Sequence, residues 1–183
     1  GVPLTLDGTS TVSGGTLELG DLTIASTSNV SLSTPVSLSG NLSINGTLNT
    51  GTQTVTLNST SSTQTITGNG AEVARLTVDN SSGNSPAAQI GTSSSLTVLD
   101  ELTLSNGEFE TNDNLTLVSS PDNNNDTVSD IGAITRDGGS LSGDVTLQRK
   151  YGGVAAATGE YVGEWRQISS PIPNLGYCSR TAP

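Results

Sequence analysis

Four oxygen-bearing side chains in one short tract, Asp122, Asn124, Asp126 and Asp130, have the spacing best suited to chemistry. They match positions 1, 3, 5 and 9 of a calcium loop, in which oxygen ligands wrap a hard cation. Thr127 stands where such a loop turns on glycine, and Ala133 where it takes a bidentate glutamate. An exposed Asn/Asp-rich turn accounts for the same residues, because these side chains bond their own backbone. The tract therefore carries two expectations, calcium or a plain surface turn.

Nucleophilic catalysis has little to work with. The chain has no His, so no imidazole can activate a hydroxyl or thiol. Its one cysteine, Cys178, has no such base, reads as a surface or junction thiol, and cannot form an intrachain disulfide. Paired carboxylates could cleave sugars on the outer face of a sheet. Here the acids are scattered, as Glu18 with Asp21, Asp100 with Glu101, and Glu108, Glu110 and Asp113. Sugar-cleaving sites also use aromatic platforms, and Tyr151, Tyr161, Trp165 and Tyr177 all fall late in the chain. Solvated surface charge explains these acids, and no catalytic or cofactor-binding residue is assigned.

Two Thr-x-Thr runs, TQTVT from Thr52 and TQTIT from Thr63, begin 11 residues apart. On a flat solenoid face such ladders can order water, although two rungs make a poor ice lattice and Thr is an ordinary outward strand residue. Asn29, Asn41 and Asn114 head Asn-x-Ser/Thr sequons, which chance supplies in a chain so rich in these residues.

The elements that must position these groups are very short. Most are apolar–polar–apolar tripeptides: LTL at Leu4, LTI at Leu22, VSL at Val30 and Val36, LSI at Leu42, VTL at Val55, LTV at Leu76 and Leu96, LTL at Leu102 and Leu115, and VTL at Val145. Period-two alternation places the outer two side chains on one face and Ser or Thr on the other. Between them lie Gly, Asn, Asp and Ser, which tolerate turn conformations. No window has helical periodicity; the nearest, from Gly70, ends in a strand-like LTV.

A phrase recurs as GTLELGDLTI from Gly15, GTLNTGTQTVTL from Gly46, GEFETNDNLTL from Gly107 and GSLSGDVTL from Gly139. A longer echo returns Val36, Leu38, Leu42, Ile44, Val55 and Leu57 as Leu96, Val98, Leu102, Leu104, Leu115 and Leu117, 60 positions on. Leu48 answers Phe109 with one residue of slippage, which suits an outward loop. Units that cannot close their own core must stack on their neighbours. The expectation is an all-β, right-handed parallel β-helix or β-solenoid, with an antiparallel β-sandwich as the alternative. The expected organisation is solenoid coils over 1–120, final coils and a capping or junction segment over 121–173, and a tail over 174–183.

The 183 residues carry 6 basic and 17 acidic side chains, a net charge of −11, which disfavours nucleic acid as a partner. Aromatic residues are only 3%, so Leu, Val, Ile and Ala must fill the core, without the Cys…Trp…Cys anchors of an immunoglobulin sandwich. The recurring alternation argues against disorder. No apolar run is long enough to span a membrane and no signal peptide opens the chain. The absence of Met suggests a processed or excised piece, which fits export.

The run GEFETNDNLTL…IGAITRDGGSLSGDVTLQRKY…EWRQISSPIP resembles a segment of large secreted surface proteins of Bacteroidetes that use the type IX secretion system. GTLNTGTQTVTLNSTSSTQTITGNGAEVARLTVDNSSG is similar to the β-solenoid coils preceding that segment, and the resemblance covers about Val36 to Pro173. After Pro173, NLGYCSRTAP departs from the pattern. The resemblance implies a secreted or cell-surface, adhesin-like, non-catalytic protein. Asp126-Thr127-Val128 resembles the O-glycosylation acceptor of the same bacteria, making Thr127 a candidate glycan site. Expected partners are a cell-surface or extracellular polymer or carbohydrate, or neighbouring subunits, with no nucleic acid and no membrane span. A carbohydrate-active β-helix enzyme and a Thr-face ice binder are the alternatives.

Overall fold

The computed structural model describes residues 1–119 and 133–149, and all their regular structure is β-strand. The first coil is β1 (Leu4–Leu6), β2 (Thr9–Val12) and β3 (Leu17–Leu19). The second is β4 (Leu22–Ile24), β5 (Asn29–Leu32) and β6 (Val36–Leu38), and the third is β7 (Leu42–Ile44), β8 (Thr47–Asn49) and β9 (Thr54–Leu57). Two further coils follow as β10 (Gln64–Thr67) with the long β11 (Ala71–Asp79), and β12 (Ala88–Ile90) with the long β13 (Leu96–Asn106). Then come β14 (Glu108–Glu110), β15 (Leu115–Ser119), β16 (Ala133–Arg136), β17 (Ser140–Ser142) and β18 (Val145–Arg149).

Every pairing among these strands is parallel, so the chain is a β-solenoid and not an antiparallel sandwich. One face is a seven-stranded sheet, β1-β4-β7-β10-β12-β14-β17. A second begins as β2-β5-β8, and a third as β3-β6-β9. In β11 and β13 these two faces fuse. Ala71 to Val73 pair with Leu96 to Val98, whereas Arg75 to Val78 pair with Thr54 to Leu57 and with Glu101 to Leu104. A register shift between Val73 and Arg75 marks the place where one strand turns the corner.

Alternation explains the core. Leu4, Leu22, Leu42, Ile66 and Ile90 form one inward file, and Leu17, Val36, Val55, Leu76, Leu102 and Ile134 another. Leu38, Leu42, Leu102 and Leu115 are all buried, as is Phe109, the chain's single Phe. Each such side chain contributes about 1.5–3 kcal/mol on full burial.

The repeated phrase proves to be a strand, a corner and a strand. From Gly15 it joins β3 to β4, from Gly46 it joins β8 to β9, and from Gly107 and Gly139 it joins β14 to β15 and β17 to β18. It therefore serves three different corners. The 60-residue echo likewise matches strands on different faces: Val36 and Leu38 pair into the third face, whereas Leu96 and Val98 belong to the second. Leu48 and Phe109 are both core residues, so their slippage falls at inward strand positions and not in a loop.

The glycine that opens the phrase has a packing reason. A Cβ on Gly46 would lie 2.2 Å from Ala25 O, and one on Gly107 2.5 Å from both Asn80 O and the Ala87 Cβ. In both cases the obstacle belongs to the preceding coil.

Residues Gly1–Lys150 form one compact unit. Within it β16, β17 and β18 add to the sheets built by β13, β14 and β15. The expected tail, 174–183, lies outside the described residues, as does most of 121–173.

Candidate functional site

Stacking turns the polar middles of the tripeptides into continuous outward files, with rungs about 4.8 Å apart. The first face carries Thr5, Thr23, Ser43 and Thr67. The fused part of the second carries Glu72, Thr97, Thr116 and Thr146, and the third Ser37, Thr56, Thr77, Thr103 and Thr135. Some of these groups bond along the file, as in Ser43 Oγ with Thr67 Oγ1 at 2.8 Å. A parallel file on the first face, Thr65, Gln89, Glu110 and Ser142, is joined by Gln89 Nε2 to Thr65 Oγ1 at 3.3 Å and Ser142 Oγ to Glu110 Oε2 at 2.8 Å. Hydroxyls and amides, each able to donate and accept, therefore dominate these surfaces.

The carboxylates singled out from the sequence are separately engaged. Asp21 Oδ1 accepts the Asn41 N–H at 2.6 Å, and Asp113 Oδ1 accepts the Asp144 N–H at 2.7 Å. Asp100 pairs with Arg75, and Glu101 accepts Thr135 Oγ1 at 2.8 Å. Glu108 accepts the Ser85 hydroxyl, the main cause that holds its carboxyl below the usual range, and slight burial opposes it. Glu18 lies outward on β3. Among the described residues no three His, Cys, Asp or Glu gather as a metal site. The calcium candidates Asp122, Asn124, Asp126 and Asp130, the glycan candidate Thr127, and Cys178 lie outside the described residues.

The two Thr-x-Thr runs do not form one array, because β9 and β10 belong to different sheets. Alternation turns Thr65 and Thr67 outward and Gln64 inward with Ile66. The threonines around Gln64 mask it in the sequence, where its parity with Ile66 is the one signal of an inward position. It is fully buried with Asn80 at a corner of the coil. Gln64 Nε2 donates to Leu38 O at 2.8 Å, Gln64 Oε1 accepts the Ser59 N–H at 2.9 Å, and Asn80 Nδ2 donates to Ala87 O at 2.8 Å. These bonds run from the end of β6 in the second coil to the residue before β12 in the fifth.

One recess, of about 310 Å³, lies where the ladder of the second face stops at β8. Leu48, Val73, Ala74 and Leu99 line it with Thr47, Thr50 and Glu72. Thr50 Oγ1 closes part of the break by accepting the Ala74 N–H at 2.7 Å. No family model, curated protein or solved structure matches the chain.

Proposed function

We propose that this chain is a non-catalytic structural and binding segment, stalk-like or adhesin-like, of a secreted or cell-surface protein. The observation that carries the reading is the set of outward hydroxyl and amide files running from coil to coil over one uninterrupted core. Such a stack spaces whatever adjoins its ends and offers repeated donors and acceptors to an extended polymer such as a polysaccharide. Each side chain contributes weakly, so affinity would come from repetition along the file. The resemblance to type IX secreted proteins supports the same assignment and suggests the route by which it reaches the surface.

The test is localisation followed by binding. In the organism that encodes the chain, antibody labelling and protease shaving of intact cells should reach it, and the purified chain should retain extracellular polysaccharide. Confinement to the cytosolic fraction, with no polymer retained, would overturn the reading.

A further inference from the structure

The second face is broken inside the stack, between β8 of the third coil and the start of β11 in the fourth. The hydrogen bonds on either side identify the groups that face this break. Thr47 N–H bonds Ser28 O at 2.8 Å, toward the second coil, and Ala71 N–H bonds Ser95 O at 3.1 Å, toward the fifth. In a parallel strand, successive residues address opposite neighbours, so Leu48 and Glu72 each turn an N–H and a C=O toward the break. No strand pairs with either residue on that side.

The recess of about 310 Å³ lies in this break. Its wall is largely apolar, with Leu48, Val73 and Ala74 buried and Leu99 half-buried beside them. Thr50 adds a buried hydroxyl. It is 4% exposed, and it accepts the Ala74 N–H at 2.7 Å while donating its own proton to no described residue. The same bond joins the third and fourth coils at the corner. The space opposite Leu48 and Glu72 therefore suits a single amide, and not a strand that continues past the corner.

The groups in the recess define the chemistry of a ligand. A donor and an acceptor on each side match a secondary amide, which carries one of each. The apolar wall suits a small hydrocarbon group on that amide, and the exposed Glu72 carboxylate can accept hydroxyl protons at the rim. A net charge of −11 disfavours an anionic ligand. A neutral N-acetylated sugar has all of these parts in its methyl, amide and ring hydroxyls.

We propose that this recess binds the acetamido group of an N-acetylhexosamine within a glycan. The methyl lies against Leu48, Val73 and Leu99, the amide between Leu48 and Glu72, and the ring hydroxyls at the Glu72 carboxylate. The site rests on the polymer-binding reading above and narrows it from polysaccharides in general to N-acetylated ones. The outward files repeat one contact along a chain, whereas this single recess selects the sugar.

Calorimetric titration of the full chain with a trimer of N-acetylglucosamine, and with the matching glucose trimer in which hydroxyls replace the acetamido groups, is the test. The acetylated trimer should bind saturably and about tenfold or more tighter, as the loss of one or two hydrogen bonds implies. Leu99→Trp, which fills the recess from its half-buried side, should abolish this preference while keeping the wild-type thermal midpoint. Thr50→Ser, which keeps the hydroxyl, should retain it. Equal binding of the two trimers, or a preference that survives in Leu99→Trp, would overturn the acetamido site and leave polymer binding by the outward files standing. Binding of neither trimer, with extracellular polysaccharide still retained, would overturn this site alone. A blocked dipeptide that binds as tightly as the acetylated trimer would overturn the assignment to a sugar.

Discussion

Asn80 Nδ2 donates to Gln64 Oε1 at 3.1 Å, and neither side chain is exposed to solvent. This contact anchors a polar cluster inside a stack otherwise filled by Leu, Val and Ile. Low polarity around it strengthens its bonds and makes any unpaired member costly.

Gln64→Leu should therefore destabilise the chain despite its apolar, similarly sized side chain. Ser59 N–H and Gly40 O lose the partners that Gln64 supplies. At roughly 1–3 kcal/mol for each buried group left unmet, the expected loss is about 2–4 kcal/mol, read from urea unfolding. An unchanged midpoint would show that the cluster contributes nothing to stability.

Leu115 and Thr116 are neighbours with opposite parity. Leu115 is buried, and Thr116 stands in the outward file between Thr97 and Thr146. Leu115→Asp should cost more than about 4 kcal/mol, because it puts an unpaired charge into the core. Thr116→Asp should cost no more than about 1 kcal/mol, the span of strand propensity. Equal thermal shifts for the two would contradict the assigned faces.

The phrase glycines should respond unequally to the same methyl group. Gly46→Ala forces a Cβ onto the backbone of the second coil and should lower stability by about 1–3 kcal/mol. Gly15→Ala meets open space and should be neutral or raise stability by about 0.4–1 kcal/mol, by restricting the unfolded chain. Paired thermal melts of the two variants distinguish close approach from mere turn preference.

The Ser85 hydroxyl is the largest cause of the lowered pKa of Glu108. A carboxyl with a depressed folded pKa lends stability above its unfolded pKa, and loses that contribution as pH falls through the folded value. Ser85→Ala should thus be slightly less stable than wild type at neutral pH, with the difference shrinking once Glu108 is protonated. Urea midpoints across the acid range would check this; a difference that grows toward acid would contradict it.

Much of this fold is legible in the tripeptides. LTL, LTI and VSL allow only one face inward, and Leu22, Ile24, Val36 and Leu38 lie where that parity puts them. The assignment of strands to faces is less legible, because Gly15, Gly46 and Gly107 open the same phrase at three different corners. A local pattern encodes the bend and not its place in the coil. The fused strands leave a trace in the sequence: AEVARLTVD and LTVLDELTL contain none of the Gly, Asn or Pro that end neighbouring strands. Gln64 and Asn80 were obscured for another reason, since a buried amide looks like any surface residue until the partners that satisfy it are known.

The spacing between stacked partners is uneven: Leu4 pairs with Leu22, while Phe109 pairs with Leu141. Strand register is held by side chains facing the interior, so the length of chain spent at a corner leaves the pairing above and below untouched. Closing a longer loop costs only about 0.6 kcal/mol for each doubling of its length. Corners that hold neither a buried amide nor a close-packed glycine are therefore natural places for foreign sequence, and epitopes or enzymes could be spliced there without re-engineering the core.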